Sequence, residues 1–214
     1  MPSGEAAVSD VAKYIRQKCA LPAGELEWFE GIAERRFVPR SGVFCGIGQA
    51  CHELGFVHEG ILQVYAVSAE GTQVVLDFVF PGAFALALRS AVAGAPSEVC
   101  FEAVAPCVLS VWPYGMRHAA AARHVEWERL EARMTEEMFA RKQQRDLSLR
   151  TRSARERYGD MASELPDAGR SIPQRLLASY LCVTPQYLSR LRREERQQTS
   201  AARRRVAALR RIGD

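Results

Sequence analysis

No stretch of the 214 residues approaches the roughly 18 consecutive apolar side chains that a membrane-spanning helix needs. Met1 to Asp10 has no basic segment followed by an apolar one, so no secretory signal is expected and the cytoplasm is the expected location. None of the six cysteines, Cys19, Cys45, Cys51, Cys100, Cys107 and Cys182, forms a Cys-x-x-Cys pair, which removes the usual zinc-finger and thioredoxin spacings. Without export they are expected to be reduced thiols, serving mainly as small buried hydrophobes. Histidine is scarce. A metal-dependent β-roll enzyme would need a His-x-His pair, a carboxylate such as Glu59 and a later histidine. His52, His58, His118 and His124 form no such pair, and the last two fall in a helical segment. No catalytic residue, metal site or cofactor is expected.

What the sequence does hold is an ordinary apolar content, 48%, enough for a packed core, and a strongly divided charge. Residues 1–140 carry 11 Lys and Arg against 17 Asp and Glu, a net of −6, while residues 141–214 carry 18 against 8, a net of +10. The last third therefore suits a polyanion partner.

The periodicity changes twice along the chain. Two amphipathic helices are predicted first, at Val8 to Lys18 and at Pro22 to Arg36, the second with Leu26, Phe29 and Ile32 at helical spacing. From Phe37 to Trp112 short β-type runs alternate with glycine breaks, which predicts a β-roll or jelly roll. Glu70–Gly71 between two such runs predicts a hairpin turn over Ala69 to Thr72. From Met116 to Arg150 proline and glycine are absent and helix formers dominate, which predicts one long helix. Its stripe of Trp127, Leu130, Met134 and Met138 suits a dimer seam, or packing on the chain's own β-domain. Ser153 with Glu156 reads as a capping box opening a further helix through Tyr158, Met161 and Leu165, ended by Pro166–Asp167. The fold class is thus α+β. Residues 1–116 are expected to form an antiparallel β-roll domain, 117–150 a dimerisation helix, and 151–214 a helical domain with a basic tail at 199–214.

Gln174 to Arg193 meets the steric demands of a twenty-residue helix-turn-helix. The small fifth residue is Ala178. The apolar fourth, eighth, tenth, fifteenth and eighteenth are Leu177, Leu181, Val183, Leu188 and Leu191. Cys182 stands at the turn position, where glycine is favoured because a positive φ is required. Ser171 with Gln174 is expected to cap the first helix, and Thr184 with Pro185 the second. On the second helix Gln186, Tyr187, Ser189 and Arg190 are the candidate base readers, with Gln186 and Arg190 suited to adenine and guanine. Arg170, Arg175, Arg192 and Arg193 are candidate phosphate contacts.

The order of β-roll, long helix and helix-turn-helix resembles the CRP/FNR superfamily of bacterial transcription regulators. The resemblance rests on FVHEGILQVYAVSAEGTQVVLDFVFPGAF in the roll and on ARERYGDMASELPD with SIPQRLLASYLCVTPQYLSRLRR towards the C-terminus. It implies a homodimer, a near-palindromic DNA operator and contact with RNA polymerase. The cyclic-AMP cassette of such proteins is missing. After Pro81–Gly82–Ala83–Phe84 come Ala85 and Leu86 in place of Gly-Glu, and Ser97–Glu98–Val99 lacks the phosphate-binding arginine. Arg89–Ser90–Ala91 resembles that arginine motif but lies too early in the chain. A response to cyclic AMP is therefore not expected; a small ligand, a thiol redox change or a protein partner is the alternative input. Cys45 and Cys51 have no third or fourth cysteine nearby, against an iron–sulfur cluster. The β-wing that often follows the recognition helix has no counterpart in residues 194–214.

Overall fold

A computed structural model describes residues 9–164, 171–194 and 197. The chain divides into two compact units, Met1–Gln144 and Arg145–Asp214.

In the first unit, α1 (Asp10–Arg16) starts where Ser9 Oγ accepts the Ala12 amide at 3.1 Å. Helix α2 (Ala23–Gly31) stops five residues before the predicted Arg36. Arg36 instead lies in β1 (Glu34–Val38), where its guanidinium makes a two-pronged ion pair with Glu53 at 2.6 and 2.8 Å.

The strands that follow are β2 (Val43–Cys45), β3 (Glu53–Val67), β4 (Gln73–Val79), β5 (Phe84–Ala85) and β6 (Cys100–Pro113). Helix α3 (Leu88–Ala93) sits between β5 and β6. The sheet runs β1-β6-β3-β4, with β2 added on β6 and β5 on β3. The long strands β3 and β6 pair antiparallel, and their register shifts three times between Val57 and Leu62. Gly60 lies in that stretch with φ +84; a Cβ there would come within 2.3 Å of the Pro106 carbonyl oxygen. Only glycine fits. The hairpin from β3 to β4 closes as predicted, with the Ser68 amide donating to the Thr72 carbonyl at 2.9 Å and Gly71 at φ +77.

One core fills the roll with Val57, Leu62, Val64, Phe101, Ala103, Leu109 and Val111. A second core lies under the helices. There Phe29 stacks on Trp112 at 4.3 Å and accepts the Trp112 indole N–H on its carbonyl at 2.7 Å.

The predicted long helix is two helices. Helix α4 (Met116–Arg123) ends at His124, whose backbone is extended, and α5 (Glu126–Thr151) starts anew. Trp127 and Leu130 are buried in the second core, with Met134 packed against it. The Trp127 indole donates to Glu25 at 3.0 Å. The choice left open by the stripe therefore goes to the chain's own core, and Trp127 and Leu130 are not free to form a dimer seam. Met138 is half-buried.

The cysteines correct a further expectation. Cys45 and Cys51 are joined by a disulfide, while Cys19, Cys100 and Cys107 are free and buried and Cys182 is free and exposed. Among the described residues no helix is long and apolar enough to cross a membrane.

In the second unit, α6 (Ala154–Glu164) opens with the expected capping box: the Ser153 amide donates to Glu156 at 2.8 Å and the Glu156 amide to Ser153 Oγ at 3.3 Å. Leu165, Pro166 and Asp167 lie outside the described residues. Helix α7 (Gln174–Tyr180) and helical residues 185–194, α8, follow among the described residues.

Candidate nucleic-acid interface

The α7–turn–α8 unit is held by a small apolar centre. Leu176, Leu177, Ala178, Leu181, Leu188 and Leu191 are all buried, and Ile172 joins them from before α7. Ala178 is completely enclosed, as the close approach of the two helices demands. The turn has Cys182 at φ +53, the left-handed conformation that the position requires, with the Cys182 amide donating to Ser179 and the Val183 amide to Ala178. Thr184 caps α8: its Oγ1 accepts the Tyr187 amide at 3.2 Å.

The cap of α7 differs from expectation. Pro173 occupies the N-cap and offers no side-chain hydrogen bond. Gln174 turns away from Ser171 and donates to the Pro185 carbonyl at 2.8 Å, tying the start of α7 to the start of α8. Two arginines missed in the sequence also hold the motif. Arg145 donates to the Tyr180 carbonyl at 2.7 Å and lies over the Tyr180 ring at 3.7 Å. Arg157 donates to the Leu181 carbonyl at 2.9 Å. The carbonyls at a helix C-terminus have no partner of their own, so two guanidinium donors there complete and neutralise it. No local spacing advertises this role.

Burying Leu188 and Leu191 leaves the other face of α8 outward. Gln186, Ser189, Arg190 and Arg193 are exposed; Tyr187 and Arg192 are half-buried. Arg190 lies over the Tyr187 ring at 4.9 Å, which steers the guanidinium along the helix surface. Arg155 forms an ion pair with Glu194. Arg175 is exposed on α7, while Arg170 lies outside the described residues. Three of the four candidate base readers are thus exposed on one helix face.

Residues 35–123 match the cyclic nucleotide-binding domain family model. Among solved structures, FixK2 from Bradyrhizobium japonicum superposes with a TM-score of 0.68 at 18% identity, covering 78% of this chain and 86% of that one. The c-di-GMP-responsive regulator CLP of Xanthomonas campestris superposes at 0.62 and 14% identity, over 83% of this chain and 93% of that one. A CRP/FNR-family regulator from Eubacterium rectale gives 0.63 and 17%, over 83% and 85%. Residues 35–123 are thus similar to a cyclic nucleotide-binding domain, and the chain has the fold of these CRP/FNR regulators. No curated protein matches it in sequence.

Within this fold the part of the roll around β5, α3 and the start of β6 is built from apolar and self-satisfied groups. Ala85 is fully buried and pairs with Gly55 in the sheet. Phe44, Ala83 and Val99 pack on the roll core. Arg89 and Glu98 form an ion pair with each other, both side chains well exposed. Ser90 Oγ is buried, accepting the Cys51 amide at 3.0 Å and donating to the Ala95 carbonyl at 2.5 Å. Among the described residues, no three His, Cys, Asp or Glu side chains gather as a metal site.

Proposed function

We propose that the protein is a dimeric, sequence-specific DNA-binding transcription regulator that does not answer to cyclic AMP. The observation that carries this reading is the outward face of α8, Gln186–Ser189–Arg190–Arg193, set on a helix whose other face is locked into the motif core. Gln and Arg are the side chains best able to read adenine and guanine edges in the major groove. Arg175, Arg192 and Arg193 supply phosphate contacts. Selection of bound sequences from random DNA by the purified chain tests it: a near-palindromic consensus is expected, and binding without sequence preference overturns it. RNA polymerase is the partner expected at the promoter.

The dimer seam belongs on the face of α5 opposite Trp127 and Leu130. Ala132, Phe139 and Leu147 fall there at helical spacing, with Phe139 67% and Leu147 59% exposed. Large apolar side chains left open on a long helix suit a second copy of the same helix.

Cyclic AMP is left out of the reading because Ala85 offers its ribose no acceptor and because Ser97–Glu98 puts a carboxylate where a phosphate-binding arginine is needed. A cyclic phosphate needs an unpaired cation. Calorimetry with millimolar cyclic AMP should give no saturable heat; a micromolar dissociation constant overturns this part.

A further inference from the structure

We propose that Cys45 and Cys51 form a reversible thiol–disulfide pair whose state sets how firmly the 46–50 loop holds α3 and the 95–97 segment. The pair closes a short link from Cys45, the last residue of β2, to Cys51, two residues before β3, with its Cα atoms 5.9 Å apart, a separation native disulfides take. Both cysteine side chains are buried, and residues 47–50 of the loop they close are exposed.

The loop they close is the part of the roll that grips α3 and the 95–97 segment. The Cys51 amide donates to Ser90 of α3 at 3.0 Å. The Gly48 amide donates to the Ser97 carbonyl and the Ser97 amide to the Gln49 carbonyl, each at 2.8 Å. Ala50 and Pro96 form an antiparallel bridge. A cross-link limits how far such a loop can open, and cutting it restores that freedom. Reduction therefore lets the loop, and α3 with it, open more often.

Oxidation joins the two Sγ atoms and releases two protons and two electrons. Glutathione disulfide takes these up and leaves as two glutathione thiols; reduction is the reverse exchange. The remaining thiols of the first unit are poor competitors, because burial pushes Cys19, Cys100 and Cys107 up and away from the reactive thiolate.

The full chain, equilibrated in glutathione buffers of graded ratio, is alkylated and mapped by peptide mass. Cys45 and Cys51 should gain label together, in one two-electron transition. Hydrogen exchange over residues 88–98 should quicken by about tenfold on reduction. The C45S/C51S variant should exchange at the fast rate in every buffer, and C45A/C51A serves if buried serines disturb folding. Independent labelling of the two cysteines, or exchange unchanged across the transition, overturns the switch.

Discussion

Arg157 donates from Nη2 to the carbonyl of Leu181 at 2.9 Å, one residue before the left-handed turn of the helix-turn-helix. Arg145 serves the adjoining Tyr180 carbonyl. The first helix of the motif has seven residues, too few to be stable by itself, so its C-terminal carbonyls depend on these donors. Arg157→Ala should lower the stability of the second unit by about 1–3 kcal/mol, the usual cost of leaving a buried acceptor unmade. Denaturant unfolding followed by helix signal checks it. Arg157→Lys should recover only part of the loss, since one ammonium cannot reproduce the fork.

Cys182 is a non-glycine residue at φ +53. The left-handed region costs such a residue about 1 kcal/mol, partly offset because glycine makes the unfolded chain looser. Cys182→Gly should therefore raise the unfolding midpoint slightly with an unchanged denaturant slope. A clear drop would mean that the thiol itself is held by the motif.

Arg190→Ala should cost about 1–3 kcal/mol per half-site on the selected operator and relax the preference at one base pair. Arg193→Ala should weaken all sequences alike and reduce the salt slope by about one unit. Titrations of operator and single-base variants at several salt concentrations separate the two effects. Equal loss on operator and random DNA would make Arg190 a phosphate contact.

Phe139→Glu should yield a folded monomer, while Leu130→Glu should unfold the first unit, losing at least about 3 kcal/mol by burying an unpaired charge. Light scattering and thermal unfolding read the two outcomes. A Phe139→Glu protein that stays dimeric would move the seam off this face.

His58 is half-buried, with its ring Nε2 2.8 Å from Ser110 Oγ. Burial, reinforced by Arg35, holds its pKa below the ordinary value of 6.5. The folded state then binds the proton less readily than the unfolded chain. Stability conferred by the neutral ring is full above pH 6.5, is lost as pH falls through the window beneath it, and levels off below the folded pKa. His58→Gln should flatten that part of the stability–pH curve. An unchanged curve would mean that His58 titrates normally.

Local grammar was readable in the sequence, and tertiary allegiance was not. The Ser153–Glu156 box, the Gly71 turn and the apolar spacing of the helix-turn-helix each depend on residues a few positions apart, and each formed as expected. The stripe of Trp127 and Leu130 reads identically whether it meets a second subunit or α2. What decided it was Glu25 and Phe29, about a hundred positions away. The Cys45–Cys51 bond, the break at His124 and the carbonyl donors Arg145 and Arg157 likewise depend on which strands and helices meet. Gln174 was seen as a capping residue, yet its amide found the Pro185 carbonyl of the next helix, a partner that exists only once the turn has closed.

All three tryptophans of the chain, Trp28, Trp112 and Trp127, sit around Phe29 in the helical core of the first unit. The second unit has tyrosines but no tryptophan. The indole emission of the intact protein is thus a private optical channel for the first unit. Backbone circular dichroism reports both units, so a melt in which the two traces part company would time the loss of each without any label.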